Sequence, residues 1–154
     1  MNKRFLCGVS IVMALGLVLG ACGKKSEKQD KGEATVKIGN VEITAKSQQS
    51  GETVSLPSNM PSYAAIYPGG DVKAVVTMSQ PAPGTMVSYT TNAGTEDVIA
   101  FYKKNAEAAS LQNINEIRMP VAWQLSAQKP NAEHAITVTI TTERGVTAVQ
   151  EVYN

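Results

Sequence analysis

Apolar and polar residues alternate along several stretches of this chain, and that period of two constrains the fold more than any other feature. The clearest run covers residues 117–126, in which every second residue is apolar: Ile117, Met119, Val121, Trp123 and Leu125. Residues 72–78 and 136–141 also alternate. Successive side chains of a strand point to opposite faces, so these runs predict half-buried strands. Pro120 cannot donate a ladder hydrogen bond, and we expect it at an edge or a bulge.

One segment has helical spacing instead. Glu96 and Asp97 suit a helix start, where backbone N–H groups are unpaired, and apolar residues then recur every three or four positions: Val98, Phe101, Tyr102, Ala106 and Ala109. The pattern predicts one helix ending near residues 111–113. With strands before and after it, the expected class is α+β, a mainly antiparallel sheet with one helix packed on one face.

Turn sequences divide the rest of the folded part, which we expect to be a single domain over residues 34–154. Gly39-Asn40 predicts a hairpin within residues 34–52, in which Ile38 faces Val41 and Val36 faces Ile43. A single strand bent by a bulge is the alternative. The main body, residues 53–154, should begin with a short extended piece over 53–56 and include a three-residue turn at 143–145.

The chain begins with the layout of a secretory signal. Lys3 and Arg4 precede an apolar stretch over residues 5–19 and the small residues Gly20 and Ala21. The stretch is shorter than the roughly 20 residues that span a bilayer, although a retained transmembrane helix is the alternative. The residues Leu19, Gly20, Ala21 and Cys22 then resemble the lipobox of bacterial lipoproteins.

This resemblance implies transfer of a diacylglyceryl group to the Cys22 sulfur, cleavage between Ala21 and Cys22, and often a further acyl chain such as palmitate. Residues 1–21 would be the signal peptide, and residues 22–33, which are almost wholly polar, a lipidated tether. The membrane is then a partner through the acyl chains, and the protein faces the periplasm or the exterior of a bacterial cell envelope. Gly23 after the anchor favours the outer membrane if the host has one.

Composition argues against a nucleic-acid-binding protein and against a domain stabilised by disulfides. The formal net charge is +1 and the basic residues are scattered, which argues against a nucleic-acid partner. The only two cysteines, Cys7 and Cys22, lie in and next to the leader, so no disulfide is expected within the folded domain.

A second resemblance concerns the body of the chain. Met60-Pro61, the turn Tyr67-Pro68-Gly69-Gly70, and Val98 with Phe101-Tyr102-Lys103 are similar to pieces of uncharacterised bacterial envelope lipoproteins with a Tyr-Pro-Gly turn and a Phe-Tyr-Lys helix. The similarity covers residues 53 to 154. It implies no catalytic residue and no assigned role.

Residues able to carry chemistry are few. His134 is the only histidine, which excludes a multi-histidine metal site, and we predict no metal, no cofactor and no catalytic set. A serine nucleophile with His134 as its base is a weaker alternative, because no Gly-x-Ser-x-Gly elbow accompanies it. The candidates for binding are Tyr63, Tyr67 and His134. Either tyrosine could instead pack against the core and hold its loop there.

The leading hypothesis is a lipid-anchored, non-enzymatic binding or assembly module whose partner is an unknown envelope protein or small ligand. One alternative is a small hydrolase or transferase using His134, which would need a serine or carboxylate within hydrogen-bond reach. Another is a small-ligand carrier, which would need a real cavity.

Overall fold

Antiparallel strands dominate the structure, a computed structural model that describes residues 29–30, 32–38, 40–48, 53–79, 83–131 and 133–154. Within these ranges nine strands form one sheet in the order β1-β2-β3-β4-β5-β9-β8-β7-β6. The strands are β1 (Gln29–Asp30), β2 (Glu33–Ile38), β3 (Val41–Ser47), β4 (Asp71–Met78), β5 (Gly84–Thr91), β6 (Gln112–Arg118), β7 (Ala122–Gln128), β8 (Ala135–Glu143) and β9 (Val146–Tyr153). A helix, α1 (Thr95–Ala108), and a short 3₁₀ helix (Ser62–Ala64) complete the described elements.

Helix α1 and the 3₁₀ helix cover one face of the sheet, which confirms the α+β class. The helix buries Val98, Ile99, Tyr102 and Ala106, so its apolar stripe lies where the helical spacing placed it. Beneath it, alternate residues of the central strands form the core: Val87, Tyr89, Ile136, Val138, Ile140 and Val149. None of the helices within the described ranges is long and apolar enough to cross a membrane.

The hairpin predicted within residues 34–52 is present. Strands β2 and β3 pair with Ile38 opposite Val41 and Val36 opposite Ile43, the register expected around Gly39-Asn40. Strands β4 and β5 also pair, with an irregularity between Val72 and Ala74. The bent single strand offered as an alternative for residues 34–45 is therefore wrong.

The strand predicted over residues 117–126 is instead a hairpin. Strand β6 ends at Arg118, the chain turns through Pro120, and β7 begins at Ala122. Ile117 and Val121 are 45 % and 81 % exposed, whereas Trp123 and Leu125 are buried. Because Pro120 lacks an N–H, it stops the ladder at the turn, and the apolar period continues across two strands that run in opposite directions.

Two smaller predictions also differ from the structure. Glu143 pairs directly with Val146, so the turn has two residues, Arg144 and Gly145, rather than three. Their φ angles of 52° and 81° are both positive, as a type I′ turn requires. Residues 53–56 lie in irregular structure and form no strand.

The turn at Tyr67-Pro68-Gly69-Gly70 fixes the connection to β4. The Gly70 N–H donates to the Tyr67 carbonyl over 2.9 Å, and Gly69 has a φ of 77°, which requires glycine for a type II turn. A Cβ on Gly70 would lie 2.8 Å from the Tyr89 ring. The two glycines therefore allow this loop to close directly over a core tyrosine.

Candidate binding cleft

A cleft of about 400 Å³ lies at one end of the sheet, where β4 ends, β5 and β8 begin and β9 ends. The register places Thr85 opposite Tyr153 and Tyr153 opposite Ile136, so side chains distant in sequence meet there. The 3₁₀ helix supplies the remaining wall. The lining residues are Asn59, Pro61, Tyr63, Thr77, Met78, Pro83, Gly84, Thr85, Glu133, His134, Tyr153 and Asn154.

Tyr63 and His134 meet in this cleft although 71 positions separate them. The Tyr63 hydroxyl donates to the Asn154 carbonyl oxygen over 2.6 Å, and its oxygen lies 3.4 Å from His134 Nδ1. Because the phenol has one O–H and uses it on Asn154, the His134 ring must donate through Nδ1–H. In the neutral ring, Nε2 is then left as an acceptor.

Burial makes the two phenols of the cleft harder to ionise than an ordinary tyrosine, which is already neutral at physiological pH. Burial raises the pKa of Tyr63 above the usual 10.0 of tyrosine. Burial also raises the pKa of Tyr153, although the Thr85 hydroxyl beside it opposes the shift. Both tyrosines therefore act as neutral hydrogen-bonding groups at physiological pH.

Of the two tyrosines named as candidates from the sequence, Tyr63 lines the cleft and Tyr67 does not. Tyr67 lies elsewhere: its N–H donates to the Tyr89 hydroxyl over 3.2 Å and its ring packs edge-on against Phe101. The structure brings Tyr63 and His134 together and leaves Tyr67 in the loop that covers the core. Neither Tyr153 nor Thr85 was identified from the sequence. Each lies on a strand in which alternate residues face inward, and that alternation is the signal that could have identified them.

The Tyr63 phenol is the polar side chain that His134 contacts. Among the described residues, His134 makes no hydrogen bond or ion pair with a serine, aspartate or glutamate, and it is exposed on a bend before β8. The described residues contain no group of three His, Cys, Asp or Glu side chains that could hold a metal ion. The arrangement offers aromatic surface and hydrogen bonding, which is chemistry for binding.

A second polar cluster lies inside the core under α1. The Tyr89 hydroxyl lies 2.9 Å from the Tyr102 hydroxyl, which donates to Glu151 Oε2 over 2.6 Å. Glu151 is 0 % exposed, and its Oε1 has no hydrogen-bond partner among the described residues. Burial raises the pKa of Glu151 from 4.5 to about 8, although the hydrogen bond from Tyr102 opposes that shift. Burial likewise raises the pKa of Tyr89 to about 12.

Comparison with known proteins decides the family. A family model described as START domain-like matches residues 72–150, just over half of the chain, from β4 through most of β9. The chain belongs to the START domain-like family. Membership in this family supports a ligand-binding module. Comparisons with curated proteins and with solved structures gave no match. The START domain-like span contains His134, Thr85 and Met78 of the cleft, whereas Tyr63 and Tyr153 lie outside it.

Proposed function

We propose that this protein is a lipid-anchored envelope protein that binds a small, uncharged, largely apolar molecule in the cleft of Tyr63 and His134. The observation that carries the proposal is the imidazole of His134, held by a phenol at the wall of an open cleft of about 400 Å³. That volume lies within the range of small-molecule sites. Membership in the START domain-like family also supports ligand binding.

The lining of the cleft indicates the chemistry of the ligand. Proline, methionine and tyrosine side chains provide apolar contact, and His134 Nε2 accepts a hydrogen bond from a ligand hydroxyl or N–H. Glu133 is the one acidic side chain among the described lining residues, and no lysine or arginine side chain accompanies it there. An anionic ligand would meet repulsion from Glu133, so the cleft disfavours anions, and its largely apolar lining favours a ligand without a strongly hydrated charge.

Anchoring through Cys22 is the second part of the proposal. Residues 1–28 lie outside the described part of the chain, so the signal peptide, most of the tether and the lipid attachment at Cys22 rest on the sequence alone. The basic start, the apolar stretch and the lipobox-like Leu19-Gly20-Ala21-Cys22 support them. An anchor of this kind would hold the cleft beside the membrane, in the outer membrane where the host has one, and close to apolar molecules that partition into the bilayer.

Binding without catalysis fits the geometry better than a hydrolase or transferase at His134. General-base catalysis of a serine, or orientation of the base by a carboxylate, needs hydrogen-bond reach. The observed partner of the His134 ring is the Tyr63 phenol, whose raised pKa makes it a poor base or nucleophile at neutral pH.

The ligand chemistry can be tested with three probes of one shape. We expect 2-naphthol to bind the protein in lipid nanodiscs about threefold to tenfold more tightly than naphthalene, because its hydroxyl donates to His134 Nε2. 2-Naphthoate should bind most weakly because of Glu133. Equilibrium dialysis against empty nanodiscs separates binding from partition into lipid.

The matched variants are His134→Ala in the cleft and Thr139→Ala on the opposite face of the sheet. His134→Ala should abolish the preference for 2-naphthol over naphthalene, and Thr139→Ala should keep it. Equal affinities for the three probes, or an equal effect of both variants, would refute the proposed cleft chemistry.

A further inference from the structure

Strand β6 is an open edge of the sheet. On one side it pairs with β7, and no described strand lies on its other side. The opposite edge, β1, has only two residues. The regular part of β6 covers residues 115–118, beyond a register shift between Gln112 and Asn115, and a free edge of this kind is a template for another strand.

The backbone groups of β6 that point outward can be identified. The Met119 N–H donates to the Ala122 carbonyl over 2.8 Å, so these two residues form a hydrogen-bonded pair at the turn. Hydrogen-bonded pairs alternate along an antiparallel ladder, which makes Ile117 and Gln124 the next one. Glu116 and Arg118, between the bonded positions, therefore direct their N–H and C=O groups away from β7.

The side chains of these two residues are complementary in charge about Ile117. In an antiparallel pair of two β6 strands centred on Ile117, Glu116 of each copy lies opposite Arg118 of the other. These are the residues whose backbone groups point outward, so backbone pairing and charge pairing have the same register. A strand edge with a single lysine would repel the same edge of a second copy. The edge with Glu116 and Arg118 attracts it instead.

We propose that a second copy of this chain pairs with β6 in this antiparallel register and extends the sheet across a twofold axis. Ile117, which is 45 % exposed, then packs against Ile117 of the other copy, and the two side chains bury apolar surface that was in contact with water. Within one chain Glu116 already pairs with Arg118 over 3.3 Å and with Lys103 of α1, and Arg118 lies 4.0 Å from the centre of the Trp123 ring, so both side chains are held at the edge where the charges of the second copy would meet them.

Cysteine crosslinking tests the register in the full chain in its membrane. At the centre of the pair the two Cα atoms of residue 117 would be about 4.5 Å apart, within disulfide reach. The two copies of residue 115 or of residue 119 would be about 14 Å apart along the strands. Ile117→Cys should give a covalent dimer on a non-reducing gel, and Asn115→Cys and Met119→Cys should not.

Mixing the two flanking variants supplies the positive control, because residue 115 of one copy lies opposite residue 119 of the other. Coexpressed Asn115→Cys and Met119→Cys should therefore crosslink to each other. The parent chain, with Cys7 and Cys22, sets the background. Crosslinking at all three single positions, or at none of them, would overturn the proposal.

Charge reversal gives an independent test. Glu116→Arg places like charges opposite one another in the pair, and so does Arg118→Glu, so each variant should weaken self-association about tenfold. A mixture of the two variants restores opposite charges and should yield a heterodimer, measured by copurification of two differently tagged chains. If the mixture associates no better than either variant alone, the edge-pairing register is wrong. Glu116→Arg also loses its ion pair with Lys103 within the chain, so a cooperative thermal transition in each variant is the check that the fold is intact.

Discussion

We expect the natural protein to lose stability between about pH 4.5 and pH 8, and we expect Glu151→Gln to remove most of that loss. In the folded protein, burial raises the pKa of Glu151 from 4.5 to about 8. Between those values the folded chain keeps a proton that the unfolded chain has released. The contribution is fully present below pH 4.5 and is lost as the pH rises through 8. The free energy of unfolding should fall by on the order of 5 kcal/mol across this window.

The surroundings of Glu151 explain the size of this effect. Its strand neighbours Val87 and Val138 are fully buried, and the polar groups that face it are phenols: Tyr102 from α1, with Tyr89 behind it, and Tyr153 on its own strand. These phenols bring no positive charge to stabilise the carboxylate. Glutamine keeps an oxygen that can accept the Tyr102 hydrogen bond and cannot ionise, so it removes the charge while preserving the contact.

Urea unfolding at pH 5, 7 and 9 measures the effect for both proteins. Glu107→Gln is the matched control, because Glu107 is exposed on α1 and lacks the buried surroundings of Glu151. A Glu151→Gln profile parallel to that of the natural protein would show that Glu151 is already ionised in the folded state, contrary to the buried environment described above.

Cys22→Ser is expected to release the protein from the membrane almost completely. Each buried methylene of an acyl chain contributes about 0.8 kcal/mol, so two or three chains anchor a protein durably, whereas a serine carries none by this route. The measurements are incorporation of a palmitate analogue and the fraction of protein that sediments with membranes.

Cys7→Ser is the matched control, since Cys7 lies in the apolar part of the leader and should be removed with it. That variant should be labelled and sediment like the natural chain. Persistence of the label and of membrane sedimentation in Cys22→Ser would mean that something other than a lipidated cysteine holds the protein, for instance an uncleaved leader.

The spacing of apolar residues and the presence of turn-forming residues were enough to predict the class of the fold, because both are local features of the sequence. The alternation over residues 136–141 gave β8, helical spacing gave α1, and Gly39-Asn40 gave the β2–β3 register. The same local reasoning failed at Pro120, where alternation continues through a turn. A period of two does not reveal the turn, and the apolar residues change face there: Trp123 and Leu125 are buried in the core, whereas Ile117 pairs with Gln124 on the other face.

The buried carboxylate was missed for a related reason. On β9, one face carries Thr147, Val149, Glu151 and Tyr153 and the other carries Val146, Ala148, Gln150 and Val152, so both faces mix apolar and polar residues. Burial of Glu151 depends on β9 being central in the sheet, between β5 and β8. That position follows from strand order, which a local pattern does not encode.

The cleft was predictable only in part. Tyr63 and His134 could be predicted as binding candidates because one is a tyrosine in a loop and the other is the single histidine. Their spacing in the sequence did not indicate that they contact each other. Their contact arises because the 3₁₀ helix and the start of β8 lie at the same end of the sheet. The third candidate, Tyr67, differs because the turn at Gly69-Gly70 directs it over the core.

The most direct test of ligand binding in the cleft is the NMR signal of the His134 ring, the only histidine ring in the chain. In nanodisc-bound protein with labelled histidine, addition of 2-naphthol should shift the ring signals saturably, with the dissociation constant found by dialysis, and 2-naphthoate should shift them little. Ring signals that stay unchanged while 2-naphthol binds, or an absence of 2-naphthol binding altogether, would contradict a ligand site at Tyr63 and His134.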